Sequence, residues 1–220
     1  MKIHIAVVTM GQQGLIDRLF SPLFWRSLGQ NVVDSIVVLS QLQPVTISVP
    51  ENAPNVIVKC TVMNYGCAGA RALITNSLLS AGLQAQDIII YLDDDVEVET
   101  DYWLADLISP LHRHYSISGV AGRRVTADTL TEVDCENPDY VSGGWCAIRG
   151  DVFLDGCMFD ERFFPNYYED IDLCYQAREK GKQIICVGNI GLRHEHPISD
   201  EAARHVSENR KRFIEKWKTS

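Results

Sequence analysis

Two groups of carboxylates are the residues of this 220-residue chain best suited to chemistry. In the first, Asp93, Asp94 and Asp95 are adjacent and directly follow an apolar run. Adjacent carboxylates repel one another unless water or a cation neutralises them. Their oxygens are hard ligands of the kind that Mg²⁺ and Mn²⁺ prefer when phosphates complete the coordination. The cluster therefore indicates a site for Mn²⁺ or Mg²⁺, with a solvated acidic turn as the alternative.

The second group is Glu169-Asp170-Ile171-Asp172, which opens a predicted helix over 170–180. Acidic residues in a first helical turn are also expected from capping and the helix dipole, so a purely structural role is an alternative. The preceding segment 163–168 is rich in aromatic residues. Aromatic side chains beside carboxylates are typical of a sugar-binding floor that carries a catalytic base.

The elements that must position these groups follow from hydrophobic periodicity. Short apolar runs predict strands over 3–9, 34–40, 55–61, 87–92, 118–124, 144–148 and 183–187. Helical spacing predicts helices over 15–28 (interrupted at Pro22), 67–83, 102–114, 170–180 and 200–218. Alternating strands and helices predict an α/β fold with a mainly parallel sheet, in which ligands bind beyond the carboxyl ends of the strands. Residues 93–95 stand at that edge.

Composition limits the class of protein. With 46% hydrophobic and 22% charged residues the chain is typical of a globular protein, and it shows no repeat or linker, so we expect one domain. The net charge of -9 argues against a nucleic-acid binder. Seven scattered cysteines without a CxxC pair indicate reduced, mostly buried thiols. No signal peptide or membrane-length apolar segment is evident, so we expect a cytoplasmic protein.

Several segments, in this order along the chain, resemble family 2 glycosyltransferases with the GT-A fold. They are the glycine-rich turn Asn64–Arg71, the DxD motif Leu92-Asp93-Asp94-Asp95, the acceptor-side segments Ser142–Ile148, Phe159–Phe164 and Tyr168–Cys174, and the closing Ala177–Gly181. The resemblance covers most of the chain. It implies a single GT-A domain over 1–220, with a mixed, mainly parallel sheet flanked by helices. The nucleotide-sugar half would span about 1–98 and the acceptor half about 99–220.

The resemblance also implies roles at the donor site. Asp93 would contact the donor nucleoside, Asp95 would bind Mn²⁺ or Mg²⁺ on the diphosphate, and Asp94 would orient its neighbours at the donor. Arg71 would lie near the donor nucleotide or its phosphates; a surface helix arginine is the alternative. The donor would be a UDP-, GDP- or dTDP-sugar.

On the acceptor side, the resemblance makes Asp170 the catalytic base of an inverting hexosyl or deoxyhexosyl transfer. Glu169 and Asp172 would position the acceptor or hold the start of the helix. Trp145 would also bind the acceptor, which would be a saccharide or a lipid-linked one. His194 would be a third metal ligand, whereas His196 is interpreted as a surface or hydrogen-bonded histidine.

One departure from the family concerns the nucleobase. Family members commonly carry an aspartate just after the second strand, whereas Ser40 and Gln41 stand here. Either could bond a base edge, so the base is not identified.

The C-terminal segment allows a peripheral membrane contact. The predicted helix over 200–218 is basic toward its end and carries Phe213, Ile214 and Trp217, which could rest on anionic lipid. Packing of Phe213 and Trp217 on the core is the favoured alternative.

Three other functions are disfavoured by the sequence. A nucleotidyltransferase would need an arginine-bearing glycine-rich loop after the first strand, and residues 9–14 contain no arginine or lysine. A non-catalytic carbohydrate-binding protein of the same fold would be expected to have lost the DxD or Glu-Asp motif, and both are present. A nuclease or polymerase is disfavoured by the acidic charge.

Overall fold

The computed structural model of the chain describes residues 1–29, 32–125, 130–132, 138–194 and 200–217. Within these ranges the strands are β1 (Ile3–Thr9), β2 (Ser35–Gln41), β3 (Asn55–Thr61), β4 (Ile88–Asp93), β5 (Val96–Val98), β6 (Ile117–Gly119), β7 (Gly122–Val125), β8 (Leu130–Glu132), β9 (Tyr140–Val141), β10 (Trp145–Arg149), β11 (Ile184–Cys186) and β12 (Leu192–His194). The α-helices are α1 (Gln13–Leu19), α2 (Pro22–Leu28), α3 (Gly66–Ser80), α4 (Trp103–Ile108), α5 (Gly150–Leu154), α6 (Glu169–Glu179) and α7 (Asp200–Trp217). Short 3₁₀ turns cover Ser109–His112 and Glu161–Phe163.

A seven-stranded sheet in the order β11-β6-β10-β4-β1-β2-β3 forms the centre of the fold. Strand β10 is antiparallel to both of its neighbours, and the other pairings in this sheet are parallel. The predicted mixed, mainly parallel sheet is therefore confirmed. Strand β4 is central, and its residues Ile88–Leu92 are all buried, as their continuous apolar run predicts.

Helices cover both faces of the sheet. The alternating side chains of β4 contribute to two cores: Ile88, Ile90 and Leu92 pack with α1, α2 and α4, whereas Ile89 and Tyr91 pack with α3, α5, α6 and α7. This separation follows from the two-residue period of a strand.

Two smaller sheets lie outside the central one. Strand β5 pairs antiparallel with β12, and β7 lies between β8 and β9. The predicted strand over 118–124 is in fact two strands, β6 in the central sheet and β7 in a small one. Both strands pack closely against neighbouring side chains at a glycine. A Cβ on Gly119 would lie 2.5 Å from Val141 Cβ, and one on Gly122 would lie 2.6 Å from Cys186 Cβ.

Two predicted helices are shorter than their apolar patterns. Pro22 starts α2 instead of bending one long helix, and the Ser21 side chain caps α2 by accepting a hydrogen bond from the Phe24 N–H. Helix α4 ends at Ile108 and continues as a 3₁₀ turn that contains Pro110, which has no N–H to donate.

The last helix packs its aromatic residues inside the protein. Phe213 is buried, and the Trp217 indole N–H donates to Asp172 Oδ1 at 2.9 Å. These rings therefore pack on the core, as the favoured interpretation of the sequence had it. Among the described residues, no helix combines the length and apolar character that crossing a bilayer requires.

Candidate active site

The candidate site lies at the carboxyl end of the central strand, where the sequence places it. Asp93 is the last residue of β4, and its N–H donates to the Gly144 carbonyl oxygen at 2.8 Å. Asp94 and Asp95 form the turn into β5. Strand β4 thus brings Asp93 to the edge of the sheet, and the turn keeps Asp94 and Asp95 near that edge.

Asp93, Asp95 and His194 converge on one point. Each offers one ligand atom, and these atoms lie within 4.8 Å of one another. His194 Nε2 is 2.8 Å from Asp95 Oδ1. The register of the small β5–β12 sheet explains this closeness, because His194 pairs with Val96, the residue that follows Asp95. The sequence resemblance assigned Asp93 to the nucleoside, whereas the structure groups it with the two predicted metal ligands.

The donor set and the surrounding space suit a divalent cation. Mn²⁺ binds both carboxylate oxygens and imidazole nitrogens, whereas Mg²⁺ prefers the carboxylate oxygens. The backbone approaches the group closely at Gly144, since a Cβ there would overlap Asp93 Oδ2 and lie 3.1 Å from His194 Cε1. Trp145 packs its ring edge-on to His194, with the ring centres 5.2 Å apart. The residues present therefore fit such an ion.

Asp94 is not one of these three converging residues. Burial raises its pKa to about 6, and a hydrogen bond with the Thr9 hydroxyl opposes the rise. Thr9 ends β1, the parallel neighbour of β4, so both side chains emerge at the same edge of the sheet. Sequence reasoning gave Thr9 no role, although its place at the end of the neighbouring strand was a usable signal.

Arg71 is buried in the site and is not the surface arginine that the sequence left open. Its side chain is 3% exposed; Nη2 donates to Asp93 Oδ1 at 2.6 Å and Nη1 donates to Glu169 Oε1 at 2.8 Å. Burial lowers the pKa of Arg71, but the charges of Asp93 and Glu169 raise it more, so it remains a cation. The guanidinium fork thus joins a candidate metal ligand to the start of α6.

Small residues allow helix α3 to bring this arginine close to the sheet. Those that are buried on α3 near Arg71 are Gly66, Ala68, Gly69, Ala70 and Ala72. Gly66 has a positive φ of 67°, and a Cβ there would overlap the Pro165 carbonyl oxygen. The same carbonyl accepts a hydrogen bond from the Cys67 N–H at 2.7 Å. The aromatic segment 163–168 is therefore docked on the start of α3.

Asp170 lies beside Gly143, the residue that precedes Gly144. Its Oδ2 accepts a hydrogen bond from the Gly143 N–H at 3.0 Å, and its Oδ1 accepts one from the Ile171 N–H at 2.8 Å. The N-cap of α6 is Tyr168, so Asp170 is not the capping residue, although it does satisfy one first-turn N–H. Burial raises the pKa of Asp170, and the bond from Gly143 opposes that rise.

The two glycines keep the two groups close together. A Cβ on Gly143 would lie 3.0 Å from Asp170 Cβ and 2.7 Å from Arg71 Nη1. One residue later, Gly144 is in contact with Asp93. The backbone of two adjacent glycines therefore separates the predicted base from the candidate metal ligands. The sequence motif contained both glycines, but only the packing shows what their missing side chains permit.

Two buried polar atoms beside these carboxylates have no hydrogen-bond partner among the described residues. They are Glu169 Oε2 and Trp145 Nε1. Burial raises the pKa of Glu169 to about 8, and the neighbouring Asp170 charge adds to the rise while Arg71 opposes it. Buried polar groups are nearly always satisfied in folded proteins, so these two atoms call for a further partner, either water or a ligand.

The residues expected at the nucleobase are engaged inside the fold. The Ser40 hydroxyl donates to the Gln43 carbonyl oxygen, and Gln41 Oε1 accepts a hydrogen bond from the Tyr65 N–H at 2.6 Å. Both side chains are buried. His196 lies outside the described residues.

Burial also raises the pKa of Cys146, to about 12, so this thiol beside the site is neutral and is no nucleophile.

Comparison with known proteins identifies the fold. No protein-family model and no curated protein matches this sequence. GalNAc-T7, in a crystal structure with UDP, GalNAc and Mn²⁺, superposes with a TM-score of 0.67 at 15% identity over 99% of this chain and 48% of its own. The mannosyltransferase PcManGT from Pyrobaculum calidifontis, in complex with GDP-Man and Mn²⁺, gives 0.62 at 13% identity over 96% and 64%. S. aureus TarS 1-349 gives 0.58 at 15% identity over 87% and 59%.

These three proteins are similar to the chain in fold. The chain spans about half to two thirds of their length, as the shares of 48%, 59% and 64% show. The shared architecture is the GT-A fold, which confirms the fold that the sequence resemblance implied.

Proposed function

We propose that this protein is a metal-dependent, inverting glycosyltransferase of the kind its sequence resembles, family 2. It moves a hexosyl or deoxyhexosyl group from a nucleotide sugar to an acceptor hydroxyl. One observation carries the proposal: the backbone of Gly143 and Gly144 places Asp170 on one side and the group of Asp93, Asp95 and His194 on the other. A single displacement requires a base beside the attacking acceptor oxygen and positive charge beside the departing diphosphate, with the anomeric carbon between them.

The donor diphosphate is assigned to the acidic and histidine cluster. Asp95, His194 and Asp93 would hold Mn²⁺ or Mg²⁺, which supplies positive charge against the departing nucleoside diphosphate. Asp94, whose pKa burial raises to about 6, is hydrogen-bonded to Thr9 at the end of β1 and would orient its neighbours at the donor. Arg71 holds Asp93 through an ion pair and would bring a permanent positive charge to the phosphates. The Mn²⁺, UDP and GDP-Man in two of the matched structures support this assignment.

Asp170 acts as the general base. Two backbone N–H groups fix its orientation, and burial holds its pKa above the ordinary value for an aspartate, which strengthens it as a proton acceptor. It takes the proton of the acceptor hydroxyl as that oxygen attacks the anomeric carbon. The bond to the diphosphate breaks in the same displacement, so the anomeric configuration inverts.

Glu169 and Trp145 bind the acceptor. Each carries a buried polar atom without a partner among the described residues, one acceptor or acid O–H and one indole N–H. A saccharide, free or lipid-linked, offers hydroxyl groups that satisfy both. Residues 1–98 then form most of the donor half and residues 99–220 most of the acceptor half, with strands of both halves in one sheet.

The test is transfer from a panel of UDP-, GDP- and dTDP-sugars to saccharide acceptors, with and without Mn²⁺. Asp95→Ala should abolish metal-dependent donor binding. Asp170→Asn should leave that binding near wild type and lower single-turnover transfer by about 10²- to 10⁴-fold, because an amide cannot take the proton. Asp106→Asn, an exposed substitution on α4, serves as the control.

Two results would contradict the proposal. Near-normal transfer by Asp170→Asn removes Asp170 as the base. Donor binding without any turnover across the panel favours a carbohydrate-binding protein of the same fold.

A further inference from the structure

Helix α7 contains a fully buried asparagine, Asn209, that has no role in the proposed transfer reaction. Asn209 has an exposure of 0%, and its amide nitrogen faces four backbone carbonyls of the segment before α6. These acceptors are Phe163 O at 3.0 Å, Phe164 O at 3.5 Å, Asn166 O at 2.8 Å and Tyr167 O at 3.1 Å. The amide has only two hydrogens, so the carbonyls share them, and the segment is wrapped around one side chain.

The orientation of this amide is fixed by its other end. Arg212, one turn further along α7, donates through Nη1 to Asn209 Oδ1. The amide oxygen therefore points toward Arg212 and the nitrogen toward the loop. An isosteric carboxylate at this position would face the four carbonyls with an oxygen and would repel them.

A second contact holds α7 on α6 itself. Asp172, at 0% exposure, accepts hydrogen bonds from Trp217 Nε1 at 2.9 Å and from Lys216 Nζ at 2.8 Å. Helix α7 is thereby anchored on the body of α6, and Asn209 is left to define the path of the chain that enters it.

That path determines where Asp170 lies. The wrapped segment ends at Tyr167 and Tyr168, whose φ values of 71° and 73° are left-handed, and Tyr168 is the N-cap of α6. Left-handed backbone is unfavourable for tyrosine and persists only where surrounding contacts impose it. Asp170 follows two residues later. A relaxation of the loop would therefore shift the first turn of α6 and the carboxylate with it.

We propose that Asn209 is a positioning residue for the base. By holding the carbonyls of residues 163–167, it fixes the entry of α6 and so the place of Asp170 against Gly143. The inference rests on the proposed function, since it assigns Asn209 a catalytic effect that acts through Asp170. Asn209 is at least 15 positions in sequence from every candidate metal ligand, and none of its described hydrogen bonds is to one of them.

The experiment is a double-mutant cycle of Asn209→Asp with Asp170→Asn, read in single-turnover transfer at saturating donor and Mn²⁺. Asn209→Asp alone should lower the transfer rate on the order of 10- to 100-fold, the size of loss that a displacement of about 1 Å causes. Its affinity for Mn²⁺ and nucleoside diphosphate should stay near wild type. In the Asp170→Asn background the same substitution should cost little more, because the group that it misplaces is already disabled.

Controls separate this role from a loss of stability. Val206→Ala removes packing from the same helix but leaves the Asn209 contacts, and Ser207→Ala is exposed on α7. If Asn209→Asp does not fold, Asn209→Ser retains one donor for the loop and replaces it in the cycle. Val206→Ala should lower Tm without lowering the transfer rate of the folded protein.

Three outcomes overturn the inference. The rate losses of Asn209→Asp and Asp170→Asn multiply, or donor affinity falls in step with the rate, or Asn209→Asp transfers at the wild-type rate. A normal rate for Asp170→Asn alone instead refutes the base assignment, and with it any role of Asn209 through that base. The variants with Asn209→Asp thus test the inference, whereas Asp170→Asn alone tests the proposed function.

Discussion

Replacing Arg71 by methionine tests whether the buried charge bridge of the site exists in solution. Arg71 is 3% exposed and donates to Asp93 and Glu169 at once, so its loss leaves the Asp93 carboxylate without its cation and the Glu169 carboxyl group without its hydrogen-bond donor. Methionine keeps much of the volume but provides no donor. We expect a folded but destabilised protein, measured without metal in a chelating buffer so that no other cation can neutralise Asp93.

The size of the effect follows from the burial of the three groups. Removing one partner of a buried ion pair typically costs about 3–5 kcal/mol. The lower end applies here, because the Asp93 side chain is 26% exposed and Glu169 can take up a proton. We therefore expect Arg71→Met to lower the free energy of unfolding by about 3 kcal/mol. For a chain of this length that corresponds to a Tm about 7 °C lower.

Thermal and urea unfolding provide the assay, with Arg18→Met as the matched control. Arg18 is 60% exposed and lies 3.6 Å from Glu97, so its loss should cost no more than about 1 kcal/mol. Adding Glu169→Gln to Arg71→Met should recover part of the loss, since one uncompensated acid is then gone. A change below about 1 kcal/mol for Arg71→Met would show that solvent already neutralises Asp93 and Glu169, and would contradict a buried charge bridge.

Three further predictions concern the same site. Gly144→Ala should weaken Mn²⁺ binding measured by calorimetry, because its Cβ would displace the Asp93 carboxylate; Gly14→Ala, with nothing within 4 Å, should not, and equal affinities would contradict the packing. His194→Ala should lower Mn²⁺ affinity at least about tenfold, the lower limit for losing even an outer-shell partner, while Tm without metal changes little; unchanged affinity returns His194 to a packing role against Trp145. Because burial raises the pKa of Glu169 from 4.5 to about 8, the folded state holds a proton that the unfolded state has lost within that window. The free energy of unfolding should therefore fall as pH rises from 4.5 to 8, and Glu169→Gln should flatten that slope; an unaltered slope would contradict the shift.

The element types were largely predictable because they depend on neighbouring residues. Strand β3 coincides with its prediction, and β4 and α6 differ from theirs by a residue. Short elements escaped prediction, as β5 and β12 have three residues each and are strands only because they pair with each other. No periodicity can be read in three residues.

The position of Asp93, Asp94 and Asp95 at the end of the central strand followed from the sequence alone. A continuous apolar run predicts a central strand, and ligands collect where such strands end, so Asp93–Asp95 needed no tertiary information. The acidic start of α6 was equally visible, because it lies on a strongly marked helix.

The tertiary structure decided which side chains meet. Arg71 and Glu169 are 98 positions apart, and Asn209 lies 42 to 46 positions from the carbonyls that it holds. Such contacts depend on how helices pack across the sheet, and no local pattern encodes that packing. The sequence by itself therefore determined the acids and the strand that presents them. Folding decided that an arginine would join two acids, that a histidine would lie beside a third, and that one asparagine would hold the loop before Asp170.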